Sequence, residues 1–242
     1  MDNKKEFSNF IYKYISGKEI VYSENISLKN IREIIDIIYN GKDFEHPDGY
    51  SLIENELFMI EHFQFDASIE KKGSTLITDK KKIISEINKE IQTKEFVNKS
   101  LKTKSSVNDY YLNLKNHFIK HANQFEKYKI ECSNWLKTTL KCNSLILFIE
   151  DKTIFGALNN NNNNNIAYEI IKTKEFMELW KEYPNVKAIF LGGNMRDRKY
   201  CRIYLYEETQ NNYETIENHN PIIMNDMQII ECKMEVKKDE KN

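Results

Sequence analysis

The chain has 242 residues, enough for one large domain or two small ones with ample material for a core. Hydrophobic residues make up 40% and charged residues 30%, ordinary for a soluble globular protein, and no segment approaches the roughly 20 apolar residues of a membrane span. The net charge of −1 hides a segregation that bears on partners: residues 1–66 hold 7 Lys+Arg against 13 Asp+Glu, residues 67–141 hold 16 against 8, and residues 142–242 hold 13 against 16.

A basic middle flanked by acidic segments suits a polyanion held near an acidic, metal-binding site. The plainer reading is a solvated, lysine-rich helical surface. Cys132, Cys142, Cys201 and Cys232 form no C-x-x-C pair. Met1 to Glu6 is polar, with no apolar run behind it of the length a secretory leader needs. The expectation is a cytoplasmic protein with free thiols and no membrane partner.

Phe7, Phe10, Ile11, Tyr14 and Ile15 recur at helical spacing, stopped by Ser16-Gly17. Ile20-Val21-Tyr22 is a short strand or a lead-in. Ser27 caps a second helix with Leu28, Ile31, Ile34, Ile35 and Ile38 on one stripe, and Asn40-Gly41 ends it. Tyr50 to Ile53 and Glu56 to Asp66 read as two strands around a Glu54-Asn55 turn, a weaker hairpin signal than Asn-Gly. By alternation Glu61 shares a face with Leu57, Met59, Phe63 and Phe65, while His62, Gln64 and Asp66 take the other. A carboxylate on a buried strand face costs several kcal/mol if unpaired, so Glu61 demands an explanation (about that order for any desolvated charge).

Residues 79–141 read as mainly helical. Ile83, Ile84, Ile87 and Ile91 mark one helix, Asn98 to Val107 a polar break, and Tyr111, Leu114, Phe118, Ala122 and Phe125 a longer helix from about Asn108. Leu145 to Ile149 is a continuous apolar run, as in a strand buried on both faces. Asn159 to Asn165 is a homopolymer loop. Thr173 caps a helix with Phe176, Leu179, Trp180 and Tyr183 on its stripe, ended by Pro184. Val186 to Leu191 is another buried strand, and Gly192-Gly193-Asn194 turns it toward Cys201 to Tyr206. The division that follows is a mixed α/β core from 1–78 plus 142–208, a helical insertion at 79–141, and a C-terminal extension with a charged tail at 209–242.

The order of helix, strand with Pro47-Asp48, adjacent strand with Glu61-His62-Phe63, and later helix and strand resembles the PD-(D/E)XK nuclease superfamily. The resemblance covers roughly 40 residues and implies a restriction-endonuclease-like core, with a nuclease activity that hydrolyses phosphodiester bonds of nucleic acid. It implies that Asp48 and Glu61 bind Mg²⁺, the hard cation that takes one or two carboxylates plus water and substrate phosphate. That metal would polarise the phosphodiester and lower the pKa of the attacking water. The superfamily's lysine, two residues past the second acid, is replaced by Phe63; Lys71 or Lys72, just beyond the strand, would have to reach back. With the lysine missing, the alternative is a catalytically inactive module that binds nucleic acid or protein. A further alternative is a protein-interaction domain whose aromatic-rich helices dock a partner or a second copy of the chain.

Glu150-Asp151-Lys152 contains E-x-K at the end of the apolar run, with Asp66 as a partner if the helical block inserts between them; this is the second placement of the site. The bland reading is a solvated strand end. His117 and His121 share a helical face but lack the glutamate that zinc proteases place after the first histidine. Lys80, Lys81, Lys82, Lys99, Lys102 and Lys104 are the candidate nucleic-acid contacts of the middle segment. Arg196, Arg198 and Lys199 follow Gly192-Gly193-Asn194 and are candidates to touch a backbone phosphate.

Overall fold

The computed structural model describes residues 6–15, 20–22, 28–66, 75–137, 142–153, 170–195, 198–209 and 222–232. Its centre is a seven-stranded mixed sheet. In chain order the sheet strands are β1 (Ile20–Tyr22), β2 (Lys42–Asp43), β3 (Gly49–Ile53), β4 (Glu56–Phe65), β6 (Cys142–Asp151), β7 (Val186–Met195) and β8 (Arg198–Leu205). They lie in the order β1-β8-β7-β6-β4-β3-β2. The central trio β4, β6 and β7 is parallel, with antiparallel hairpins β3–β4 and β7–β8 on its flanks.

Helices cover both faces, which is why the central strands read as continuous apolar runs. On one face lie α1 (Glu6–Phe10), a π-helical turn that continues it over Ile11–Ile15, and α2 (Leu28–Tyr39). They bury Phe7, Phe10, Tyr14, Ile31, Ile34 and Ile38 against Phe58, Ile60, Ile146, Phe148 and Phe190. On the other lie α4 (Val107–Ala122), α5 (Phe125–Leu136) and α6 (Lys174–Lys181). These bury Leu114, Phe118, Tyr128, Phe176 and Trp180 against Leu57, Met59, Leu145, Leu147 and Ile189. A fully buried aliphatic or aromatic side chain stabilises by roughly 1.5–3 kcal/mol before entropy is set against it, so both layers are needed to hold the sheet.

Local chemistry explains the joints. Glu54 and Asn55 take φ of 49° and 69°, so the two-residue hairpin is a left-handed turn despite its unfavourable glutamate. Thr173 accepts the Phe176 N–H at 3.3 Å and caps α6 as its sequence suggests. Gly41 follows α2 where the Phe7 ring leaves no space; a Cβ there would come within 2.5 Å of Phe7 Cζ.

The mixed α/β sheet, the hairpin at 54–55, the capped helix at 173 and the buried strands at 145 and 186 agree with the sequence reading. Two details differ. The polar break expected at 98–107 lies largely within a strand, β5 (Phe96–Ser106), which pairs along its length with β9 (Ile222–Cys232) in a separate two-stranded sheet. Polar alternation gives no apolar signal, and long-range pairing supplies the backbone hydrogen bonds. β7 runs on through Gly192-Gly193-Asn194 to Met195 instead of turning there, because β8 provides cross-strand partners as far as Arg198. Beyond the basic-segment helix, α3 (Thr75–Glu90), Lys99 of β5 is bound by Glu90 at 2.5 Å. The expected stop at Ser16-Gly17, the helix cap at Ser27, the loop at Lys71 to Ser74 and the poly-Asn segment lie outside the described residues. No helix of the described residues is long and apolar enough to cross a membrane.

Candidate active site

Asp48 and Glu61 meet where β3 gives way to the preceding turn. Gly49 is the first residue of β3 and pairs with Ile60, so Asp48, one residue before it, lies just past the end of the pairing and close to Glu61. Beyond Ile60, β4 has outrun that partner. Asp48 compensates by accepting the His62 backbone N–H at 2.7 Å, which keeps a main-chain donor satisfied. The acid therefore sits at the border of the sheet, with Glu61 beside it.

Glu61 lies on the face covered by α4 and α5, as alternation predicts, and is 7% exposed. The buried charge has a partner: His121 Nδ1 lies 2.8 Å from Glu61 Oε1. On α5, burial and then the charge of Glu61 raise the pKa of the Tyr128 phenol. The ring of Phe63, the residue in the lysine slot, stacks on His121 at 4.5 Å and on His117 at 5.7 Å. Phe63 thus orients the imidazole that orients the acid. Burial and the adjacent Glu61 charge push Asp48 up to about 7. His121 has no counterpart in the sequence motif; its helical pairing with His117 was visible, its glutamate was not.

A second cluster occupies the opposite face. Glu150, at 3% exposure, is bonded by Lys13, Tyr14 and Lys152, and Gln64 Nε2 donates to its other oxygen at 2.7 Å. His62 Nε2 stands 3.6 Å from the same oxygen, and its Nδ1 stands 3.1 Å from Glu6. Burial opposes ionisation of Glu150, but His62, Lys13, Lys152 and Tyr14 outweigh it and hold the carboxyl well below its ordinary range. For His62, burial lowers the pKa and Glu150 and Glu6 raise it, with a net rise. Lys152 is lowered, chiefly by burial. The two residues of the E-x-K triplet are therefore joined to each other, in a hub rather than a solvated strand end.

Asp66, the other acid of the second placement, directly follows β4. It is fully buried, and its charge, behind burial and Tyr110 and Thr153 hydrogen bonds in the balance, helps push Asp151 up to about 6. Tyr110 donates to Asp151 at 2.8 Å, as does the Thr153 N–H. Lys71, Lys72 and Arg196 lie outside the described residues. Lys80, Lys81 and Lys82 are exposed along α3, with Lys82 3.5 Å from Asp79. Lys102 and Lys104 lie in β5, and Arg198 and Lys199 open β8.

Among the described residues, no three His, Cys, Asp or Glu side chains are gathered closely enough to hold a metal by themselves. The paired acids nevertheless suit a cation that wants oxygen, accepts one or two carboxylates and keeps most of its water, as Mg²⁺ does. Burial first, and then the neighbouring charge, raise the Asp48 carboxyl, and a bound cation would oppose both. The chain matches no family model, no curated protein and no solved structure.

Proposed function

We propose that this protein is a nuclease-like hydrolase of nucleic-acid phosphodiester bonds, acting on a restriction-endonuclease-like core with Mg²⁺ held between Asp48 and Glu61. The observation that carries the reading is the closeness of the two acids: Asp48, just before β3, accepts from the N–H of His62, the neighbour of Glu61, and burial together with the Glu61 charge pushes its pKa up to about 7. When bound there, Mg²⁺ supplies charge to polarise a phosphodiester and acidify a water.

The protein's own residues would orient that site. His62 N–H fixes the Asp48 carboxylate, while His121 fixes Glu61, so both donors are placed before the cation arrives. The exposed lysines of α3 would add affinity for the polyanion without reading sequence.

Phe63 in the lysine slot favours a second reading, a module of this type that binds nucleic acid without cleaving it. Two described lysines, Lys13 and Lys152, are bound to Glu150 and offer no substitute. The test is cleavage of labelled single- and double-stranded DNA and RNA with and without Mg²⁺, in the wild type and in Asp48→Asn and Glu61→Gln. Metal-dependent cleavage lost in both variants, with the fold intact by circular dichroism, supports the hydrolase. Cleavage unchanged in both removes it. Salt-sensitive binding with no turnover selects the inactive module.

A further inference from the structure

Helix α5 carries an aromatic surface beside the paired acids. Tyr128, Cys132 and Trp135 stand at i, i+4 and i+7, on one stripe. At one end Tyr128 lies near Glu61; at the other Trp135 meets Phe44 and Tyr50, each with ring centroids 5.3 Å away. Tyr50 pairs with Met59 in the hairpin, on the same face as Glu61. Phe44 belongs to the turn that presents Asp48, since its N–H donates to the Asp48 carbonyl at 2.9 Å. All three rings are thus tied to the elements that carry the acids.

Trp135 is the unusual member. It is 57% exposed, although an indole is among the side chains that gain most from burial. Its two aromatic neighbours meet it at interplanar angles of 57° and 64°, so neither lies flat on the indole. They hold the ring upright without covering it. Lys137 at the C-cap of α5, two residues after Trp135, and Lys42, the β2 partner of Tyr50, are both exposed. A held, uncovered aromatic ring, on elements that also carry exposed lysines, is the arrangement that stacks bases of a single strand while its backbone is drawn in by charge. A duplex keeps its bases stacked inside and offers no comparable face.

We propose that Trp135, held by Phe44 and Tyr50, is the stacking platform for an unpaired base, and that the substrate of the Asp48–Glu61 site is a single-stranded polynucleotide. This deepens the hydrolase reading and takes its location from it. Seven helical residues separate Tyr128 from Trp135, about 10 Å at 1.5 Å per residue. The stacked base therefore lies about three nucleotides from the acids at the roughly 3.4 Å spacing of a stacked strand, fewer if the strand is extended.

The protein offers its own probe, because Trp180 is fully buried and Trp135 is the accessible tryptophan. Full-length protein is titrated in low salt and chelator with oligo-dT, with oligo-rU and with a duplex of equal length, following tryptophan fluorescence and the anisotropy of a labelled strand. Binding of a single strand should quench Trp135 and exceed duplex binding. Trp135→Ala should weaken it about tenfold, as expected for one lost base stack, while Trp135→Phe retains most of it. The two oligonucleotides tell DNA from RNA, and either one binding in this way supports the platform. Equal binding by Trp135→Ala and wild type, duplex binding as tight as single-strand binding, or no binding at low salt overturns it; in the last case the rings are left to a protein partner. No metal is present, so the outcome is separable from that for hydrolysis. Trp135-dependent binding without turnover keeps the platform and removes the hydrolase, whereas Mg²⁺-dependent cleavage unaffected by Trp135→Ala does the reverse.

Discussion

The Asp48 carboxylate caps the His62 backbone N–H at 2.7 Å and at the same position stands close to Glu61, the residue before that histidine. One side chain therefore has two duties with opposite electrostatic preferences. The N–H favours the ionised acid, while burial and the Glu61 charge favour the neutral one and prevail.

The consequence for stability is a pH dependence of definite sign. A carboxyl whose folded pKa is raised stabilises the protein fully below its unfolded value, 3.8, and loses that contribution as pH rises through about 7. Asp48→Asn keeps the oxygen that accepts from His62 and removes the charge. In metal-free protein it should therefore melt higher than wild type at pH 8, by several degrees, with the difference shrinking toward pH 4. Thermal melts across that range check it; a difference independent of pH would show that Asp48 is not held neutral by burial and Glu61. Mg²⁺ affinity of the wild type should rise with pH up to about 7 and then level.

Glu150 behaves in the opposite sense. Its carboxyl is held ionised by His62, Lys13, Lys152 and Tyr14 against the cost of burial, so its contribution is present above the unfolded pKa of 4.5 and disappears as pH falls through a folded value below the ordinary range. Glu150→Ala would strand Lys13, Lys152 and His62 around an uncompensated centre. A loss of about 3–5 kcal/mol is expected from breaking a buried ion pair this way, with Glu150→Gln losing less. Urea denaturation at neutral pH measures both, and near-equal losses in the two variants would assign the effect to shape rather than charge.

Gly192 pairs with Glu150 across β6 and β7, and a Cβ on it would lie 2.8 Å from Tyr14 Cγ. The missing side chain makes room for the ring that donates to Glu150. Gly192→Ala should destabilise by about 1–3 kcal/mol, the usual cost of overpacking a filled core. Combining it with Tyr14→Ala, which clears the space, should cost less than the two changes added together. Strict additivity in a double-mutant cycle would refute the contact.

How much of this could be read in advance depended on whether the signal was local. The Glu54-Asn55 hairpin, the Thr173 cap and the apolar runs at 145 and 186 are determined over a few residues by turn, cap and burial chemistry, and the sequence specified them. The same hairpin brought Asp48 close to Glu61, so that pair was legible too. β5 was not: its side chains alternate among polar residues, and only pairing with β9, more than a hundred residues later, gives its backbone a partner. Nor could spacing show that His121 would stand at hydrogen-bonding distance from Glu61, or that Lys13 would share Glu150 with Lys152.

The chain's own order thus determined which residues form strands, which faces are buried and which acids are adjacent, because these follow from periodicity and from bonds a few residues long. The tertiary structure alone decided the partner of each buried charge. That choice turns on which helix is laid over which face of the sheet, and its energy is set by burial that exists only once both have come together.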